Sequence, residues 1–329
     1  MATAVPLARV IRSGLEESLH LGHVAVCDAA GRLVASAGDP SRLVFARSSM
    51  KPLQASVSLA AMRDDDLPVP MLAVMCASHN GEPVHVRTVS ALLRRSGLGV
   101  SSLRCPRDWP MDAGARARAR SPRRVLHNCS GKHAGMVAAS ASAGWDLETY
   151  LRPTHPLQRR VTKAVLAATG LAKVHVGVDG CGAPVHGVPL ASMATLFARL
   201  ARPERLGPIE PQVTRATSAM GAEPYLVAGR NRTDTALMRE VPGLVVKSGA
   251  EGLACAAVLD TGLGVAMKIE DGGDRAAGPA LIWALAQLGA VSIEALARLD
   301  PFLRRPVTGG GRVVGELSAE PFRLGSARR

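Results

Sequence analysis

Residues 47–52 read Arg47-Ser48-Ser49-Met50-Lys51-Pro52. Leu53, Val57, Leu59 and Met62 follow at helical spacing, which predicts a helix over 49–62 with Pro52 in its first turn. Ser48 and Lys51 then stand three residues apart on one helical face. A serine hydroxyl is a poor nucleophile without an adjacent base, and a lysine amine can be that base if it is held neutral. A helix start there also offers backbone N–H groups for an oxyanion. Alone, the pair reads equally well as an N-cap serine and a surface lysine.

Lys247-Ser248-Gly249 changes the balance. It ends a predicted strand at 244–247, about two hundred residues downstream, and S-x-x-K early with K-[TS]-G late is the signature of serine penicillin-recognising enzymes. The middle element of that signature, S-D-N, is met by Ser78-His79-Asn80, with His in place of Asp. That departure argues against β-lactam chemistry. Lysine usage supports a chemical role for these positions. Of 40 basic residues only Lys51, Lys132, Lys163, Lys173, Lys247 and Lys268 are lysine. Arginine cannot lose its proton in a protein, so chemistry that needs a neutral amine must keep lysine.

A third group is Cys129, Lys132 and His133, within one helical turn, together with Cys181 between two glycines. Thiolate and imidazole suit zinc, and two small buried thiols suit the same residues.

Charge is +13 over 329 residues. The basic clusters at 116–124 and 323–329 lack interleaved aromatics, and no DNA-binding motif spacing occurs, so solvated charge is expected rather than nucleic-acid binding. Six widely spaced cysteines, with no apolar leader, predict a reduced, cytoplasmic protein. No apolar run reaches about 20 residues, so no membrane span is expected.

Short β-prone runs at 23–27 and 32–36 flank a glycine turn and predict a hairpin. Strands are expected at 173–178, 244–247, 253–259 and 264–269, and helices at 85–93, 132–143, 150–169 after Pro153 and Pro156, 189–202 and 279–288. Residues 104–124, rich in Arg, Pro and Gly, read as a mobile loop or lid. The irregular mixture predicts an α/β (α+β) fold with an antiparallel sheet flanked by helices. Length allows one catalytic domain over 1–329 or two interleaved lobes.

The chain resembles the asparaginase II family, the rhizobial-type L-asparaginases. The likeness is carried by Arg47-Ser-Ser-Met-Lys-Pro52, Cys76-Ala-Ser-His-Asn-Gly-Glu82, His127-Asn-Cys-Ser-Gly-Lys-His133, Asp179-Gly-Cys-Gly-Ala-Pro184 and Lys247-Ser-Gly-Ala-Glu-Gly252. Arg12-Ser-Gly, Glu17 to His20 and Lys268-Ile-Glu-Asp-Gly272 are similar to it as well. The resemblance implies a fold like serine β-lactamases and penicillin-binding proteins, hydrolysis of L-asparagine to L-aspartate and ammonia, and a homodimer. It pairs Ser48 with Lys51 and Ser78 with Lys247. It places zinc on Cys129, Lys132 and Cys181. It puts Arg47, Asn80, His133, Asp179 and Gly249 around the substrate, with oxyanion donors in the 247–249 stretch. A β-lactamase-like serine acylase or a glutaminase is the alternative enzyme; a zinc- or nucleic-acid-binding protein is the alternative without catalysis.

Overall fold

Ser13 and Gly14 both take positive φ, 49° and 83°. That is the backbone of a two-residue hairpin turn whose twist matches the flanking strands. It joins β1 (Val5–Arg12) to β2 (Leu15–Cys27) in antiparallel register, Arg12 opposite Leu15. The remaining strands are β3 (Leu33–Ala37), β4 (Leu43–Phe45), β5 (His175–Val178), β6 (Pro184–Pro189), β7 (Leu244–Ser248), β8 (Leu253–Val258), β9 (Leu263–Ile269), β10 (Arg304–Gly309), β11 (Arg312–Ala319) and β12 (Gly325–Ser326). The structure, a computed structural model, describes residues 3–326. It divides into two compact units built from interleaved stretches.

Unit 1 comprises Met1–Ser49, Val188–Arg202 and Ala236–Arg329. Its sheet runs β10-β11-β1-β2-β9-β8-β7, with β3 also paired to β2 and β12 to β3. The pairs of registered strands in it are antiparallel. β8 is buried along its whole length, as its unbroken Leu-Ala-Cys-Ala-Ala-Val run requires. Helices Leu190–Ala201 and Asp274–Gln287 pack on the sheet. A chain so poor in aromatics builds this layer by close approach. A Cβ on Gly264 would stand 2.0 Å from the Ala194 carbonyl oxygen, so the helix lies directly on β9.

Unit 2 comprises Met50–Gly187 and Pro203–Thr235. Helix Lys51–Met62 is its axis, buried at every position but one. Helices Ser130–Ser142, Pro156–Thr169 and Glu210–Ala222 pack around it. Gly131 and Gly135 let Ser130–Ser142 meet Val69–Met75 at backbone distance: a Cβ at Gly131 would fall 2.0 Å from the Val74 carbonyl oxygen. β5 and β6 form a hairpin whose turn holds Cys181.

The antiparallel α/β architecture agrees with the sequence reading, as do the hairpin and the meander of β7, β8 and β9. The helix expected within 150–169 after Pro153 and Pro156 runs Pro156–Thr169, with His155 capping it through its ring nitrogen. Helix 279–288 starts earlier, at Asp274, with Pro279 inside it. Residues 104–124 are tied down: Asp108 and Arg123 bridge, the Arg104 N–H donates to Tyr150, and Met111 and Asp112 N–H groups donate to the Asn80 carbonyl. Among the described residues no helix is long and apolar enough to cross a membrane.

Candidate active site

Lys51 opens the axial helix of unit 2 and is completely buried. Its Nζ donates to Ser78 Oγ at 2.8 Å and to the Ala77 carbonyl at 2.6 Å. Burial is the largest influence on it and drives its pKa below the ordinary lysine range; negative charge on Cys129 opposes the shift and Lys132 adds to it. A downward shift favours the neutral amine, the form able to take a hydroxyl proton.

Ser78 is held in place by its loop. The Ser78 and Asn80 N–H groups donate to Val227 and Ala228 carbonyls, and the His79 N–H to Asn128. His79, the departure from S-D-N, is buried and neutral. The Gly81 N–H donates to its Nδ1 at 3.1 Å, so Nε2 carries the proton and donates to Ser130 Oγ at 2.9 Å. Ser130 passes the chain on to the Val125 carbonyl. Burial holds the His79 pKa well below the usual histidine range. His79 stacks on His85, with ring centroids 5.1 Å apart, and His85 stacks on Tyr225. Asn80 is clamped between Arg232 and the Arg230 carbonyl.

The Cys129–Lys132–Cys181 group is assembled in the same unit. Lys132 Nζ donates to Cys181 Sγ at 3.0 Å and lies 4.0 Å from Asp179 Oδ2. A hydrogen bond from Cys181 is the largest influence on the Cys129 thiol and holds it well below the ordinary cysteine range; that same bond raises Cys181. Burial works to lower Lys132, but Cys181, Cys129 and Asp179 outweigh it and raise it. Among the described residues no three His, Cys, Asp or Glu side chains gather as a metal site. Two thiols therefore need the Lys132 amine as third donor. The three side chains are buried and converge, and one thiol is held toward thiolate, so zinc could bind here once it displaces the proton that Lys132 retains.

His133 is placed beside this group. Tyr150 Oη accepts from the Arg104 N–H and donates to His133 Nδ1 at 2.7 Å, leaving the proton on Nε2, which is buried with no partner among the described residues. Burial again keeps this ring neutral. An unsatisfied buried donor costs stability unless a ligand takes it.

The remaining candidates lie in or border unit 1. The 3₁₀ turn Arg47–Met50 runs straight into helix Lys51–Met62. Ser49, not Ser48, is the buried serine, and its Oγ donates to the Lys247 carbonyl at 2.9 Å. Lys247 is fully buried at the end of β7 and its Nζ donates to the Ser248 carbonyl. Arg47 adopts φ 43° and Glu251 φ 63°, strained conformations for residues with a Cβ. Lys268 Nζ donates to the Glu251 carbonyl, and Asp274 accepts from the Gly252 N–H, so Lys268 of the 268–272 motif and Asp274 just beyond it secure the turn after β7. The Gly249 N–H donates to the Leu253 carbonyl at 2.8 Å. It is spent within its own hairpin, so the expected oxyanion donation from Gly249 is not available from this amide. Ser78 lies in unit 2 and Lys247 in unit 1; the partner found for Ser78 is Lys51.

Tyr150, Ser130 and Tyr225 were not legible as site residues. The chain has only two tyrosines, and both flank this site. The scarcity argument used for lysine would have found them.

Solved structures give distant likenesses. A β-lactamase from Mycobacterium bovis is 17% identical, with 81% of this chain and 94% of that chain covered, at a TM-score of 0.44. Mglu, solved in its glutamate form, is 15% identical over 82% of this chain and 61% of its own, at 0.48. A Bacillus subtilis protein named as a probable glutaminase is 12% identical over 82% and 88%, at 0.39. No curated protein matches the sequence. The L-asparaginase II family profile matches residues 8–319, nearly the entire length, and the chain belongs to that family.

Proposed function

We propose that the protein hydrolyses L-asparagine to L-aspartate and ammonia through a serine-bound acyl-enzyme. Family membership makes it an amidohydrolase. The observation that supports Ser–Lys proton transfer is a fully buried lysine, Lys51, 2.8 Å from the hydroxyl of Ser78 in a loop held by backbone hydrogen bonds.

In this reading Ser48 attacks the side-chain amide carbon and its proton passes to Lys51. The tetrahedral intermediate collapses, and Lys51, relaying through Ser78, returns the proton to the departing nitrogen, which leaves as ammonia. Water then attacks the ester, giving the proton back along the same path and releasing aspartate. Lys247 is assigned to the second Ser–Lys pair, with Arg47, Asn80, His133, Asp179 and Gly249 around the substrate. His133 Nε2–H is the donor best suited to a substrate carboxylate, because it is buried and unpaired. Zinc on Cys129, Lys132 and Cys181 would supply a fixed positive charge for holding the substrate's α-amino or carboxylate group. A homodimer in the cytoplasm completes the proposal.

A second reading makes Ser78 the nucleophile, favoured by the same 2.8 Å contact. Ammonia release from asparagine tests the activity. Mass spectrometry of a quenched reaction assigns the acyl group to the peptide holding Ser48 or to that holding Ser78. Release from glutamine, or hydrolysis of a cephalosporin, at a higher kcat/KM than from asparagine would replace asparagine as the substrate.

A further inference from the structure

The basic run at 116–124 has no part in the chemistry above. It forms one wall of a cleft of about 600 Å³ in unit 2, lined by Arg87, Arg118, Arg120 and Arg123 over a floor that includes Val86 and Pro110. All four arginines are exposed, and among the described residues none pairs with a carboxylate. The nearby acids are occupied. Asp112 accepts from the Ala115 N–H, Asp108 from the Trp109 N–H, and Glu82 is buried against Tyr225 and Arg230.

The cleft is preformed. Asp108 and Arg123 exchange backbone hydrogen bonds, and Met111 and Asp112 N–H groups anchor on the Asn80 carbonyl at 2.8 and 3.0 Å. The floor is tight: a Cβ on Gly81, at φ 74°, would fall 2.9 Å from the Leu126 carbonyl oxygen. Four arginines line this one cleft, and their positive charge favours an anion in it. Planar forks with paired N–H donors match phosphate oxygens, and their faces stack on planar rings. The volume exceeds what phosphate or a small dicarboxylate fills and suits a ligand of drug-like size. An apolar floor beneath a basic rim takes a ring at one end and several charges at the other.

We propose that this cleft binds a nucleoside polyphosphate, its phosphates on Arg118, Arg120 and Arg123 and its base on the Val86–Pro110 floor beside Arg87. The site is distinct from Ser78 and Lys51, although its rim and the Ser78 loop share the Asn80 carbonyl.

Isothermal titration of the full chain with ADP, adenosine, pyrophosphate and a single-stranded oligonucleotide tests it. ADP is expected to saturate one site per chain and to weaken as salt rises. Adenosine and pyrophosphate should each bind at least roughly ten-fold more weakly, since each lacks half of the recognition. Arg118→Ser with Arg120→Ser should lower ADP affinity roughly ten-fold or more, and Arg87→Ser, on a separate helix, should act in the same direction. These are surface positions, so circular dichroism should be unchanged. No saturable ADP binding, equal binding by the variants, pyrophosphate as tight as ADP, or an oligonucleotide roughly ten-fold tighter than ADP would each overturn the proposal.

Discussion

Lys51 Nζ lies 2.8 Å from Ser78 Oγ and 2.6 Å from the Ala77 carbonyl, and all three residues are buried. An arginine there would bury a permanent charge and could never accept a proton. Lys51→Arg and Lys51→Met should therefore both reduce ammonia release roughly a thousand-fold or more, as loss of a base acting in a unit with its nucleophile does. Lys51→Met should keep or raise the melting temperature, because it removes a buried amine from an apolar helix. Near-native activity in either variant would dismiss Lys51 as the base.

The Lys132–Cys181 contact of 3.0 Å underlies the second prediction. Freshly purified protein should contain about one zinc per chain by elemental analysis. Cys129→Ser and Cys181→Ser should each reduce that content strongly, and Lys132→Arg should do the same, since guanidinium cannot serve as a ligand. Full zinc occupancy in all three variants would place the metal elsewhere. A metal-free wild-type protein would remove it from the reading while leaving Lys51 and Ser78 untouched.

What could be read beforehand was what single residues announce chemically. S-x-x-K and K-S-G are local strings, and lysine stands out in a chain that otherwise uses arginine. The antiparallel meander was legible because β8 is an unbroken apolar run and β9 is apolar but for Gly264 and Lys268, with Gly252 and Gly262 just before them. β10 and β11 were not. β10 alternates exposed and half-buried positions with Pro306 within it, β11 has one buried residue, Leu317, and the pairing of β11 with β1 joins opposite ends of the chain. The 104–124 stretch has loop composition, yet its hold comes from distant groups, Asn80 and Tyr150, which no local pattern reveals. The contact of Lys51 with Ser78 is of the same kind, a matter of side-chain reach between a helix start and a loop.

Gly131 marks a packing requirement that can be measured. Its Cα faces the Val74 carbonyl so closely that a methyl group would stand 2.0 Å from the oxygen. Gly131→Ala must push helix Ser130–Ser142 off Val69–Met75 and should cost roughly 2–3 kcal/mol, against the small gain in helix propensity. The same shift would move Lys132 and His133, so activity should fall together with the urea midpoint. Gly221, with open space around it, is the control: Gly221→Ala should leave stability equal or higher. Equal stability in both variants would show that the helix contact is loose.

His186 gives the last test, through pH. It lies on β6 with Nε2 3.0 Å from Thr162 Oγ1, its Nδ1 has no partner among the described residues, and burial brings its imidazole down to about 4. An unfolded histidine titrates near ~6.5. Between those values the unfolded chain binds a proton that the folded chain refuses, so stability must rise with pH across the window. The contribution is complete above about pH 6.5, declines as pH falls, and is gone below about 4, a span worth roughly 3 kcal/mol. His79, His85 and His133, buried and lowered in the same direction, add to the slope. His186→Leu should therefore flatten the pH dependence of urea unfolding between pH 4 and 6.5 by up to about one proton while leaving the others in place. An unaltered slope would mean that His186 meets solvent and titrates normally in the folded protein.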